Sequence, residues 1–118
     1  MGSMIASLII DATDTETVAQ FWAEALGWEI VNRGGYGISI GADGGPFEID
    51  MGHVPDGPKT AKNRLHLDII TARCDQETER ARLLALGAKE LDVGQGQCSW
   101  YVLSDPEGNE FCLCRKST

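Results

Sequence analysis

The chain has no apolar run long enough to span a membrane and no cationic leader joined to an apolar block, so the expected compartment is the cytoplasm. Positive charge is scarce: 10 Lys and Arg stand against 18 Asp and Glu, a formal net charge of −8. That balance repels phosphate backbones, and no basic stripe offsets it. Lys59, Lys62 and Arg64, the densest cations, are scattered over one loop. Neither nucleic acid nor a membrane is an expected partner. The four cysteines, Cys74, Cys98, Cys112 and Cys114, lack CxxC spacing, which excludes the common zinc-finger patterns. They read as reduced thiols that pack as small apolar groups. No low-complexity segment interrupts the sequence.

What is present is ordinary globular material, 118 residues with 42% hydrophobic and 24% charged, enough for one domain with a modest core. Its most informative stretch is DPEGNEFCLC, Asp105 to Cys114. Asp-Pro-Glu-Gly has type I turn chemistry, with Asp first, Pro presetting φ at the second place and Gly fourth. An alternating strand follows. Asp43 to Asp50 echoes it, an Asp opening a Gly/Pro turn before the alternation of Phe47, Ile49 and Met51 with Glu48 and Asp50. Each turn is preceded by the helix ending Ala-Leu-Gly, at Gly27 and again 60 residues later at Gly87. One supersecondary unit is used twice.

The first copy reads as β-α-β-β-β. Ser7 to Asp11 is a β-prone strand, and Thr13 with Glu16 has capping-box spacing, Asp14 being the alternative cap. Val18, Phe21, Trp22, Ala25 and Leu26 then form a helical apolar stripe that Gly27 stops. Strands are expected at 28–32, 36–41 and 47–51. The second copy runs through a strand at 64–70, a helix at 75–86, strands at 89–93 and 98–104 separated by the Gly94-Gln95-Gly96 turn, and the strand after Gly108. Its helix has the weaker stripe and is expected to be less buried. The expected modules are residues 4–53 and 64–115 of a single domain, joined by a connector at 54–63.

Alternation divides each strand into two faces. With Leu65, Leu67, Ile69, Phe111 and Leu113 packed on helices, the opposite faces carry Glu48, Asp50, His66, Asp68, Glu110, Cys112 and Cys114. A sheet of this kind is commonly just half solvated. The alternative is that two curled sheets line a shared cleft with these groups, Asp68 and Glu110 then contacting a substrate. Trp100 has the parity of Cys98 and Val102, which puts it on that face. Tyr36 is a further candidate wall, since small-molecule sites combine apolar walls with a few convergent polar groups. Trp22 and Trp28 are expected in the core.

FWAEALGWEIV, NRLHLD, ARLLALGA and WYVLSDPEGNEF, in this order, resemble the vicinal oxygen chelate superfamily of glyoxalase/bleomycin-resistance-type domains. The resemblance covers nearly the whole chain. It implies an α+β fold of two tandem βαβββ modules whose curved mixed sheets surround a cavity, and assembly as a homodimer. Metal-dependent members draw ligands from the first and last strands of each half. His66 falls on one such position, Cys112 on another where a carboxylate is usual, and the position near Ser7 offers no convincing ligand. Glu48 or Asp50 would supply the fourth. The resemblance thus allows a divalent metal (nickel, zinc, manganese or iron) held by His66, Glu48 and Cys112, without assuring one, and it assigns no catalytic residue. The vacancy at Ser7 and the thiol at Cys112 favour a metal-free protein that binds a small organic molecule, a drug or a metabolite. The alternative is a metal-dependent lyase, isomerase or dioxygenase, with metal and cavity carboxylates dividing the Lewis-acid and proton-transfer work.

Overall fold

A computed structural model describes residues 2–55, 57, 59–71, 73–91 and 99–115. The chain folds as α+β, with four strands and one helix in each of two compact units, residues 1–58 and 59–118. No helix among the described residues is long and apolar enough to cross a membrane.

The first unit runs β1 (Ser7–Ala12), α1 (Thr15–Leu26), β2 (Glu29–Gly34), β3 (Gly37–Gly41) and β4 (Glu48–His53). Asp14 rather than Thr13 caps α1, its carboxylate accepting from the Thr17 N–H at 3.2 Å and the Thr17 hydroxyl at 2.7 Å. The capping box does not close because Glu16 is drawn to Arg33 of β2, 2.9 Å away. Gly27 ends the helix in the left-handed region at φ 70°, where a side chain would be strained. Val18, Phe21, Trp22 and Ala25 are buried as the stripe requires, Phe21 and Trp22 meeting edge to face at 5.2 Å.

The sheet order is β1-β4-β3-β2, parallel between β1 and β4 and antiparallel elsewhere. Its register explains both faces. Leu8, Ile49 and Ile40 form one cross-strand row, and Ile10, Met51 and Ile38 another; these rows carry the buried isoleucines and Met51 that α1 covers. Between them runs Ile9, Asp50 and Ser39, facing the other way. A register shift between Ile30 and Asn32 makes Val31 an extra residue in β2.

The second unit repeats this order as β5 (Leu67–Ile69), α2 (Gln76–Leu86), β6 (Lys89–Glu90), β7 (Tyr101–Ser104) and β8 (Glu110–Leu113), with sheet order β5-β8-β7-β6. Asp75 caps α2 by accepting from the Thr78 N–H at 2.7 Å. Only Glu79 and Leu83 of this helix are buried, in keeping with its thin stripe, and Glu79 is paired with Arg82 at 2.8 Å. Leu67, Phe111 and Leu103 share one face with Ile69, Leu113 and Tyr101; Asp68, Cys112 and Val102 share the other.

The Asp105 turn is closed by both backbone and side-chain hydrogen bonds. Gly108 N–H donates to the Asp105 carbonyl at 3.0 Å, and the fully buried Asp105 carboxylate accepts from the backbone N–H groups of Glu107 and Asn109 and from the Asn109 amide. The same turn shortens β5. Continuing the parallel register would set Leu65 opposite Asn109, whose backbone N–H and carbonyl are both engaged with Asp105. The expected strand from Arg64 is therefore corrected to Leu67–Ile69, and Leu65, expected to pack, is 83% exposed. The first unit's turn is a looser echo. There Ala42, not Asp43, supplies the carbonyl, to Gly45 N–H at 2.8 Å. The expected Gly94–Gly96 turn, Cys98 and the end of the 89–93 strand lie outside the described residues.

Candidate functional site

Each unit carries its own candidate site, on the face of its sheet turned away from the helix. On the first, the Asp50 carboxylate stands between Ile9 and Ser39. One of its oxygens, Oδ1, is buried with no hydrogen-bond partner among the described residues. Tyr36, an expected wall, bends over this face so that its hydroxyl meets Ser39 Oγ at 2.6 Å. Glu48, an expected metal ligand, is exposed and lies over Gly41, where an added Cβ would meet its Cγ at 3.3 Å. Gly52, opposite Asp11 on β1, lies beneath Ile9, whose Cγ2 would be 3.2 Å from a Cβ there.

On the second sheet the structure brings His66, Asp68 and Cys112 together. His66 Nε2 is 3.0 Å from Asp68 Oδ1, and one ligand atom from each of the three residues lies within 4.8 Å of the others. Cys112 neighbours Asp68 because β5 and β8 pair in parallel at that point. Nitrogen, oxygen and sulfur donors together suit zinc better than manganese, which prefers all-oxygen sets. Donors roughly 2.0–2.3 Å from a tetrahedral ion are themselves separated by less than 4 Å, so the trio needs only small side-chain adjustments to hold one. Glu48 is not in this group; it belongs to the other unit's sheet. Asp68, expected to contact substrate, stands in this group beside His66 and Cys112.

Glu110 and Trp100 complete the expected residues. The Glu110 carboxylate is bonded to Lys59 at 3.0 Å and to the Asn63 N–H at 3.1 Å. Burial, the largest single influence, pushes this carboxyl up, but Lys59, the Asn63 N–H and its own backbone together hold it below the ordinary glutamate value. Glu110 therefore ties the segment before β5 to β8. Trp100 immediately precedes β7 and is 41% exposed. Cys114, two residues beyond Cys112, has its thiol pushed up by burial and by the neighbouring Asp68 carboxylate, which favours the protonated and weakly nucleophilic form.

Two features were not anticipated. A cleft of about 490 Å³ opens beside the start of α2, lined by Thr71, Cys74, Gln76, Cys114 and Arg115 among others. Gln76 is held there by hydrogen bonds to the carbonyls of Ser99 and Leu113. The second is the small-residue floor of the first sheet, Ser39 with Gly41 and Gly52. Its signal is visible as GISIG, in which small residues alternate with isoleucines.

Comparison with known proteins agrees with this architecture. A fosfomycin resistance protein from Mesorhizobium loti superposes with a TM-score of 0.72 at 11% identity, over 99% of this chain and 94% of that one. A glyoxalase/bleomycin resistance protein/dioxygenase family enzyme from Burkholderia phytofirmans PsJN gives 0.70 at 17% identity, covering 94% and 97%. An antibiotic-binding protein from Streptomyces sp. CB03234 gives 0.64 at 21% identity, covering 98% and 97%. No curated protein matches the sequence. At these identities the structural likeness speaks for the fold. The family model for the glyoxalase-like domain matches residues 7–114, and the chain belongs to that family, within the vicinal oxygen chelate superfamily.

Proposed function

We propose that this glyoxalase-like protein binds a small organic molecule on the helix-free faces of its sheets and needs no tightly held metal to do so. The observation that carries this reading is the first sheet's open face. Exposed Ile9, Val31 and Tyr36 stand there beside a carboxylate oxygen that has no partner among the described residues. Apolar surface next to unsatisfied polarity is costly in water-free packing and useful in recognition. Two of the solved neighbours are by name an antibiotic-binding and a fosfomycin resistance protein, which supports a binding role without identifying the ligand. A second copy of the chain is the expected partner, as a homodimer.

The His66, Asp68 and Cys112 group favours a second reading, a metal-dependent lyase or isomerase. These residues would hold a zinc-like ion, and a bound ion would supply Lewis-acid polarisation of a substrate oxygen. Ligand-observed NMR with a panel of aromatic small molecules, run with and without EDTA, separates the readings. The metal-free reading predicts that affinities stay within about twofold in EDTA and in His66→Ala, since the first sheet's open face, which carries this reading, does not include His66. Affinity lost in both, together with one zinc per chain by equilibrium dialysis that His66→Ala abolishes, would replace it with the second.

A further inference from the structure

The open face of the first sheet has a chemical bias that narrows its ligand. Its floor is made of small residues: Ser39 at the centre, with Gly41 further along the same strand and Gly52 on β4. Larger side chains stand over that floor. A Cβ on Gly41 would meet Glu48 at 3.3 Å and the Val31 methyl groups at 3.9 Å; one on Gly52 would meet Ile9 at 3.2 Å and Asp11 Oδ1 at 3.7 Å. The walls are thus apolar at Ile9, Val31 and Tyr36, which are 61%, 50% and 48% exposed, and acidic at Asp11 and Glu48.

The acid at the centre is Asp50. Ser39, its neighbour on β3, is engaged by the Tyr36 hydroxyl, and Asp50 Oδ1 is buried without a hydrogen bond to any described residue. The sheet's only arginine, Arg33, pairs with Ile38 on the helix side and bonds to Glu16 of α1. Among the described residues that the register places on the open face, none is cationic. A buried carboxylate oxygen with no donor leaves desolvation uncompensated, and a ligand donor cancels that cost.

The geometry points to an organic cation as the ligand class: an ammonium group that donates to Asp50, carried on an apolar or aromatic body that packs against Ile9, Val31 and Tyr36. This assignment rests on the proposed binding function and specifies it. Gly41 and Gly52, having no side chains, let Glu48 and Val31 settle over the first and Ile9 over the second, so that acidic and apolar walls stand close beside Asp50. The acidic walls at Asp11 and Glu48 disfavour anions there, and the net charge of −8 raises the local concentration of cations.

The test uses the full chain and three probes of matched shape: 1-naphthylmethylammonium, neutral 1-naphthylmethanol and anionic 1-naphthylacetate, titrated by saturation-transfer NMR at low salt. The cation is expected to bind about tenfold more tightly than the alcohol, and the anion more weakly than both. In Asp50→Asn, which keeps the side chain's shape, the cation should fall to within about twofold of the alcohol while the alcohol is unchanged. Asp50→Glu should retain the preference for the cation. Equal binding of cation and alcohol, or a cation affinity untouched in Asp50→Asn, would overturn the assignment and leave small-molecule binding standing. Binding of none of the three probes would also overturn it, and the broader aromatic panel then judges the binding function separately.

Discussion

Replacing Asp105 by alanine is expected to lower the unfolding free energy by about 3 kcal/mol, a large share of the roughly 5–15 kcal/mol available to a domain of this size. One fully buried carboxylate accepts from the Glu107 N–H at 2.9 Å, the Asn109 N–H at 3.0 Å and the Asn109 amide at 2.8 Å. Alanine strands all three donors in a turn whose residues are at most partly accessible to water. The same turn delivers Glu110 to β8 in register with Ser104, so its loss loosens the antiparallel β7–β8 pairing as well. Asp105→Asn should be intermediate. Its amide oxygen can serve the two backbone groups, but its NH₂ would then face the NH₂ of Asn109, donor against donor. Urea unfolding at unchanged slope measures both variants. A loss below about 1 kcal/mol in Asp105→Ala would show that water or a rearranged loop replaces the carboxylate, contrary to this account of the turn.

Glu110→Gln is expected to cost about 1–2 kcal/mol at neutral pH and to make the chain less sensitive to acid. The Glu110 side chain is 11% exposed and its Lys59 partner 24%, so solvent screens the pair only in part. Glutamine leaves the Lys59 ammonium partly buried without its counter-charge. The sign of the pH effect follows from the direction of the shift. The folded-state value of Glu110 lies below its ordinary one, so its contribution is full above the unfolded value of roughly 4.3 and disappears as pH falls through the lower folded value. In Glu110→Gln that decline is missing. Part of the wild-type decline persists in the variant, because Arg82 holds the Glu79 carboxyl low in the same way. Stability followed from neutrality to strong acid should therefore show the two proteins converging. Parallel curves would mean that the Lys59 bridge contributes nothing in solution.

The fold was legible in the sequence because its signals are local and repeated. The α1 stripe, the stops at Gly27 and Gly87 and the Asp-Pro-Glu-Gly turn each act within a few residues, and their recurrence revealed the doubled unit. Strand ends were less legible, since they depend on partners. Leu65 carries the right alternation, but its would-be partner Asn109 is committed to Asp105, which no periodicity in Arg64–Ile70 reveals. The competition for Glu16 was likewise hidden: capping-box spacing is a local pattern, whereas Arg33 arrives from 17 residues away.

The site was legible only by parity. Alternation put His66, Asp68 and Cys112 on one face, and the parallel pairing of Asp68 with Cys112 is what gathers them. Glu48 could not be tied to that group from spacing alone. For Glu110, alternation reports the face and not the partner, and Lys59 lies 51 positions upstream of it. The Asp50 environment needed the register of three strands, with Ile9 on one side and Ser39 on the other, before its unpartnered oxygen had meaning.

The central claim is that the helix-free faces are where this glyoxalase-like chain meets a small molecule. Backbone amide shifts of the ¹⁵N-labelled protein, recorded as the tightest-binding small molecule is added to saturation in EDTA, test it most directly. The account predicts perturbations centred on Ile9, Ser39 and Asp50 of the first sheet or on Asp68, Val102 and Cys112 of the second, with the outer surfaces of α1 and α2 unmoved. Perturbations confined to those helices, or none at saturating ligand, would contradict it.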